Sequence, residues 1–345
     1  MDCPGLTRMP SMPEPARQIL CKLLLGTLTL LPGSAVLAGN YQDSPQAAAL
    51  VSEMTREHGF AEEQLVAVFS AAERKQAILD AISRPAEKVK PWKEYRPIFI
   101  TDARISKGVT FWQQHATALA RAEAEYGVPA QAIVAIIGVE TFYGGNTGSW
   151  RVVDALATLC FDYPPRSAFF CQQLKEFLLL ARQEQVDPLS VKGSYAGAMG
   201  LPQFMPSSFR AYAVDFDGDG HIDIWNNPVD AIGSVANYFK QHGWTQGDAV
   251  VSRASVSGAQ AAEGLTVGIE PQLTMRQLRE LGWTSSTPVA DDLKVTAFRF
   301  EGAEGEEYWL GLPNFYTITR YNRSPMYAMA VYQLSQALLQ AKGTP

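Results

Sequence analysis

The chain has 345 residues, 47% of them hydrophobic and 19% charged. That is globular composition, with length for two to three domains of roughly 150 residues each, and it excludes disordered or collagen-like chains. Twenty-nine basic against thirty-five acidic residues leave a net charge of −6, without the positive field that holds proteins on nucleic acid, so no nucleic-acid role is expected. The longest apolar run, Leu23 to Ala38, is broken by Pro32 and Gly33 and falls short of the roughly 20 residues that cross a bilayer as a helix.

That run follows Arg17 and Lys22 and ends in Ser34-Ala35-Val36-Leu37-Ala38-Gly39, the charged, apolar, small-residue order of a secretory signal. Residues 1–38 are therefore expected to be removed on export. With them go Arg8, Arg17 and Lys22 against Asp2 and Glu14, so the mature chain becomes slightly more acidic. Cys3 and Cys21 leave with the signal. Cys160 and Cys171 remain, either bridged across one short loop in an oxidising compartment or kept as two buried thiols. Without CxxC or HExxH and with four histidines, a zinc site has nothing to be built from.

In chain order, Pro45 to about Ser83 shows apolar residues at helical spacing (Leu50, Met54, Leu65, Val68, Phe69, Ile78, Ile82) and predicts a helical N-terminal lobe. Pro85 to Thr101 reads as an irregular crossing. Helices are predicted over Val109–Tyr126, Pro129–Tyr143, Gln172–Gln185, Pro206–Val214 and Pro228–His242, several starting at proline, with Gly127 and Gly243 as C-terminal caps. From about Asp248 the period changes. Val295–Phe300, Glu307–Leu310 and Phe315–Tyr321 read as strands and Met275–Leu281 as a short helix, before a closing helix at Tyr327–Ala341. The fold class is α+β, mainly α.

In the predicted helix Pro129–Tyr143, Ile133, Ile136, Ile137 and Glu140 share one stripe, placing a carboxylate where a core residue belongs. Burial there would keep the acid protonated near neutral pH, able to donate to a glycosidic oxygen; a helix-end glutamate turned to solvent is the plain alternative. Gly144-Gly145 follows, where missing side chains admit a bulky ligand. Gly193 to Ser208 holds three glycines with Ser194, Gln203 and other hydrogen-bonding side chains just before a helix start.

Together with Phe161-Asp-Tyr-Pro-Pro-Arg166, these segments resemble the lysozyme-like lytic murein transglycosylases of the B family, soluble and membrane-bound, from about Tyr95 to Tyr327. The resemblance implies a lysozyme-like helical core over 101–247 with an EF-hand-like loop, a helical lobe over 39–100 joined by a closing helix over 325–345, and a small α+β insertion over 248–324. It implies that Glu140 is the single acid/base cleaving the bond between N-acetylmuramic acid and N-acetylglucosamine. Glu140 would protonate the leaving oxygen, then take the proton of the muramyl C6 hydroxyl as a 1,6-anhydro ring closes in place of water attack. No cofactor is required for that chemistry. An intramolecular nucleophile removes the need for the second carboxylate that hydrolases normally use. Ser194 and Gln203 match positions lining the cleft. Tyr95, Arg166, Tyr238, Tyr321 and Tyr327 match positions that contact glycan and peptide. Read without the resemblance, these are also ordinary cap, turn and core residues. Two other readings stand beside it: a hydrolase using Asp154 or Asp162 as second carboxylate, and a non-catalytic wall-binding protein.

Asp215, Asp217, Asp219 and Asp223 stand at positions 1, 3, 5 and 9 of a calcium loop, with Gly220 at 6 and the His221 carbonyl at 7. Position 12 is Asn226. The resembled family has a longer loop whose last acidic ligand matches Asp230, so structural Ca2+ is expected, against a bare Asx-rich turn. Leu37-Ala38-Gly39 is followed by Asn40, where lipid-anchored relatives carry an acylated cysteine, and a soluble periplasmic enzyme is expected. Its partners would be peptidoglycan glycan strands, with wall-synthesis proteins as further candidates.

Overall fold

The computed structural model describes residues 40–84 and 90–343; the predicted signal, 1–38, lies outside them. The N-terminal lobe is α1 (Pro45–His58), α2 (Glu62–Ala71) and α3 (Gln76–Ile82). Ser44 caps α1 by accepting from the Ala47 amide, Pro45 fills its first turn, and Gly59 ends it in the left-handed region, where glycine carries no side-chain penalty. Within the stretch expected to be irregular lies a helix, α4 (Trp92–Phe99), which carries Pro97 and buries Trp92 and Tyr95. Interior proline costs about 3 kcal/mol. Burying two aromatic side chains, each worth roughly 1.5–3 kcal/mol, offsets it.

The helical core follows as α5 (Asp102–Gln114), α6 (Ala116–Tyr126), α7 (Ala130–Thr141), β1 (Trp150–Arg151), α8 (Val152–Asp162), α9 (Ser167–Gln183), β2 (Lys192–Gly193), α10 (Pro206–Tyr212) and α11 (Pro228–Gln241). Two expectations need correction. The series Val109–Tyr126 breaks at His115 into α5 and α6. Helix α8 was not foreseen: Val152 to Cys160 is buried without interruption, and a helix buried all round shows no amphipathic period. Cys160 at its end is bonded to Cys171 in α9, with Cα atoms 4.5 Å apart.

One face of α8 holds the N-terminal lobe. Asp154 accepts from the Glu73 amide (2.9 Å) and Arg151 Nε (2.8 Å), Thr158 from the Lys75 amide (3.0 Å), and Asp162 from the Tyr41 hydroxyl (2.7 Å) and Arg74 Nε (3.1 Å). Four-residue spacing puts all three acceptors on a single stripe.

Next come β3 (Val251–Val256), β4 (Leu273–Thr274), α12 (Met275–Glu280), β5 (Trp283–Ser285), β6 (Lys294–Gly302) and β7 (Gly305–Gly311). They make an antiparallel sheet of order β4-β6-β7-β3-β5. Alternation along β6 serves two cores: Val295 and Ala297 join a small cluster with Met275, Leu278 and Trp283, whereas Phe298 and Phe300 face the helical core. The segment Phe315–Tyr321, expected as a strand, is α13 (Pro313–Tyr321). Its aromatic and β-branched residues favour strands, yet Pro313 opens a helix. Helical spacing also buries Asn314, Phe315 and Ile318, with Phe315 stacked on Phe298 at 4.9 Å. The closing helix α14 (Pro325–Gly343) packs on α4, α5, α7 and α13.

Candidate active site

Glu140 lies in the last turn of α7, half-buried, after a run from Ile133 to Val139 in which every residue is buried. The helix ends abruptly. Phe142, Tyr143 and Gly144 take φ of 53°, 57° and 77°, and left-handed backbone costs a residue with a side chain about 1–2 kcal/mol. Surrounding bonds hold the turn: the Phe142 amide donates to Gly138 O (3.1 Å) and the Asn146 amide to Thr141 O (2.9 Å). Buried Thr141 donates to Leu201 O (3.0 Å) while accepting from the Gly144 amide (3.0 Å). The Tyr143 ring folds back over Gly138 and against Gly108 of α5; a Cβ at either glycine would sit 2.5 Å or 2.2 Å from its hydroxyl.

The Gly193–Ser208 segment closes on this turn. A Cβ at Gly148 would stand 2.1 Å from Gly193 O, so only glycine permits that approach. Ser194 Oγ accepts from the Ala196 (3.3 Å) and Ala198 (3.0 Å) amides and shapes the loop. Gln203, at φ 52°, donates from its side-chain amide to Gly200 O (2.9 Å) and Thr147 O (3.2 Å).

Tyrosines surround the carboxylate. Tyr327 of α14, almost wholly buried, donates its hydroxyl to Glu140 Oε1. Tyr321 donates to Pro202 O (2.6 Å) and Tyr238 to Arg320 O (2.7 Å), their rings 4.7 Å apart. Burial, and next the Glu140 charge, push the Tyr321 and Tyr327 phenols well above their ordinary pKa, and burial raises Tyr238 as well. All three remain protonated donors at neutral pH. Buried Tyr95 lies near enough to Tyr327 to act on its ionisation.

Of the residues singled out in the sequence, the structure thus gathers Glu140, Tyr95, Tyr238, Tyr321 and Tyr327, with Gln203 and Ser194 on the adjoining loop. Arg166 is not drawn into this group by any contact among the described residues; its guanidinium lies over Phe169 and Phe170, 4.4 and 5.2 Å from their ring centroids. Asp154 and Asp162 are engaged in holding the N-terminal lobe. Thr141 and Tyr143 were missed, and the signal for Tyr143 was the pair Gly108 and Gly138, each inside a helix where glycine is otherwise unfavourable.

In the acidic loop, Asp215, Asp217 and Asp230 bring carboxylate oxygens within 4.8 Å of one another. Asp215 accepts from the amides of Gly218, Asp219 and Gly220, and these bonds, Gly220 first, lower its pKa. Fully buried Asp230 accepts from the Phe216 (2.7 Å) and Asp223 (2.8 Å) amides, and burial raises its pKa. Asp219 accepts from the His221 amide (2.9 Å) and stands outside the triplet.

A helical core presenting one glutamate at a strained helix end, under tyrosines and a glycine-rich loop, defines a lysozyme-like glycan-cleaving enzyme. The family model described as Transglycosylase SLT domain matches residues 42–336, and the chain belongs to that family, lytic transglycosylases acting on peptidoglycan. It is 48% identical over 315 residues, 89% of this chain and 86% of the other, to the membrane-bound lytic murein transglycosylase B of Escherichia coli K12. Among solved structures, soluble lytic transglycosylase SltB1 of Pseudomonas aeruginosa is 67% identical, covering 87% of this chain and 100% of its own, at a TM-score of 0.84. Escherichia coli Slt35 in complex with calcium is 48% identical, covering 88% and 96%, at 0.82. Pseudomonas aeruginosa SltB3 in complex with NAG-anhNAM-pentapeptide is 30% identical, covering 87% and 80%, at 0.76.

Proposed function

We propose that Glu140 is the single catalytic acid and base of a lytic transglycosylase that acts on peptidoglycan strands in the periplasm. Its carboxylic acid protonates the oxygen linking N-acetylmuramic acid to N-acetylglucosamine, and the C–O bond to the muramyl C1 breaks. The muramyl C6 hydroxyl then bonds to C1 and gives its proton to the Glu140 carboxylate, which restores the acid and leaves a 1,6-anhydro end without consuming water. The observation that carries this reading is the Tyr327 hydrogen bond to Glu140 Oε1. It fixes the carboxylate and favours its charged form in the second step, as a donor to an anion does. The candidate second carboxylates of a hydrolase support the reading by their engagement: Asp154 is buried against Arg151 and the Glu73 amide, and Asp162 is bonded to Tyr41 and Arg74. Ser194, Gln203, Tyr95, Tyr238 and Tyr321 line or brace the cleft, and for Arg166 the support for a peptide-contacting role is its match to the family position, not a contact with this group.

The Asp215, Asp217 and Asp230 group, with Asp219 and the His221 carbonyl, holds a structural Ca2+. Hard oxygen donors at this spacing suit calcium, and the complex of Slt35 with calcium agrees. Bound metal would neutralise converging carboxylates and tie the loop to α11 through Asp230. Among the described residues no helix is long and apolar enough to cross a membrane.

Mass spectrometry of muropeptides released from purified peptidoglycan tests the reaction. Products one water lighter than hydrolytic fragments are expected, and none with Glu140→Gln. Reducing-end products would instead establish a hydrolase.

A further inference from the structure

Two cations flank the turn beyond Glu140 without any acidic partner among the described residues. Arg104 and Lys107 lie three apart on α5, where like charges share a face and repel, yet neither enters an ion pair. Aromatic faces hold them instead. The Arg104 guanidinium lies 5.3 Å from the Phe99 ring centroid and 5.1 Å from that of Phe142, and Lys107 Nζ lies 4.8 Å from the Phe142 centroid. Phe99 in turn sits 5.1 Å from Tyr95. A continuous row of side chains therefore runs from Tyr95 of the cleft to the turn that follows the catalytic glutamate. Lys107 Nζ stands 3.0 Å from where a Cβ on Gly145 would project, beside the exposed backbone of Gly144 and Gly145. Arg104 gives one hydrogen bond, to Ile98 O (2.5 Å), and its buried Nε has no partner.

In a chain of net charge −6, two partly buried cations left unpaired beside an open glycine turn are placed to receive an anion. Resting on the function proposed above, we propose that Lys107, with Arg104 behind it, binds a carboxylate of the peptide carried by the muramyl sugar, making this end of the cleft selective for peptide-bearing strands. Phe142 orients the ammonium by its ring face, and the absent Gly145 side chain leaves the approach clear. Lys107 supplies the accessible charge. Arg104, clamped between two rings, keeps the local field positive and the Phe142 ring in place.

The test measures sedimentation of the full mature chain with peptidoglycan sacculi, in a Glu140→Gln background so that no substrate is consumed. Adding Lys107→Ala is expected to weaken binding about fivefold, the scale of one partly exposed ion pair, and Lys107→Arg to restore it. On sacculi whose carboxylates have been amidated, the parent should fall to the level of Lys107→Ala and the two should bind alike. Equal binding of both to untreated sacculi, or an equal loss from Lys107→Ala on amidated sacculi, overturns the proposal. So does persistence of the Lys107 effect on strands stripped of peptide by an amidase, because the anion would then be the lactyl carboxylate. Unchanged melting of the variants excludes a folding cause. Failure of the enzymatic reading is separable, since it would appear in wild-type digests as the absence of anhydro products.

Discussion

Gly138→Ala adds one methyl group beneath the Tyr143 ring, and the structure sets the size of its effect. The new Cβ would meet the Tyr143 hydroxyl oxygen at 2.5 Å, Cζ at 2.6 Å and Cε1 at 2.9 Å, all inside van der Waals contact. The ring cannot slide away, because Gly108 bounds the slot on its other side and a Cβ there would itself stand 2.2 Å from the hydroxyl. Overpacking of this kind costs about 1–3 kcal/mol, with the upper end expected for a closed slot. Alanine returns about 1 kcal/mol through helix propensity. A net loss of about 2 kcal/mol should lower Tm by roughly 4 °C for a chain of this size. Because Tyr143 belongs to the left-handed turn directly after Glu140, displacement of the ring also moves the acid, and kcat should fall about tenfold, as small misplacements of reacting groups do. Tyr143→Phe removes a buried hydroxyl that has no partner and should stabilise by about 1 kcal/mol; combined with Gly138→Ala it should recover part of the loss. Calorimetry and initial-rate assays on the purified single and double variants decide the matter. A Gly138→Ala protein that melts higher than wild type with unchanged kcat would refute the reasoning, since propensity alone would then account for everything.

Tyr327→Phe removes a hydrogen bond to a charged acceptor, worth about 1.5–3 kcal/mol. It should lower kcat roughly ten- to a hundredfold with little change in KM, whereas a purely structural role would move Tm and leave kcat intact. Calcium at about one hundred times its Kd should stabilise by about 2.7 kcal/mol and raise Tm above the value in chelator, and Asp230→Asn should abolish the increment; no shift at millimolar metal would remove the calcium site. Reducing the Cys160–Cys171 bond, which spans a sequence separation of 11, should cost about 3 kcal/mol by the loop-entropy relation, read as a fall in Tm once thiol titration confirms reduction.

Much of the site was legible because its signals are local. A carboxylate in an apolar helical stripe, glycines at 144 and 145, and aspartates at fixed loop spacing need no knowledge of distant residues. Helix-starting Pro206 and Pro228 and the cap Gly127 announced helix ends for the same reason. The failures share a different cause. Helix α8 is buried all round, so hydrophobic period carried no information, and α13 combines strand-favouring side chains with burial against Phe298 that only its partners impose. Pro97 argued against α4, and the burial of Trp92 and Tyr95 overrode it.

Residue type and spacing alone determined a mainly helical chain with one carboxylate set in an apolar helical stripe and an acidic loop at calcium-ligand spacing, because those properties reside within single segments; the lysozyme-like core and the role of the acid came from the family resemblance. Tertiary structure decided what surrounds the acid. Tyr327 reaches Glu140 across 187 positions of sequence and Tyr321 reaches Pro202 across 119, while Asp154 and Asp162 turn to the N-terminal lobe. Such pairings follow from which helix faces pack together, a balance of burial over the whole core that no local pattern records.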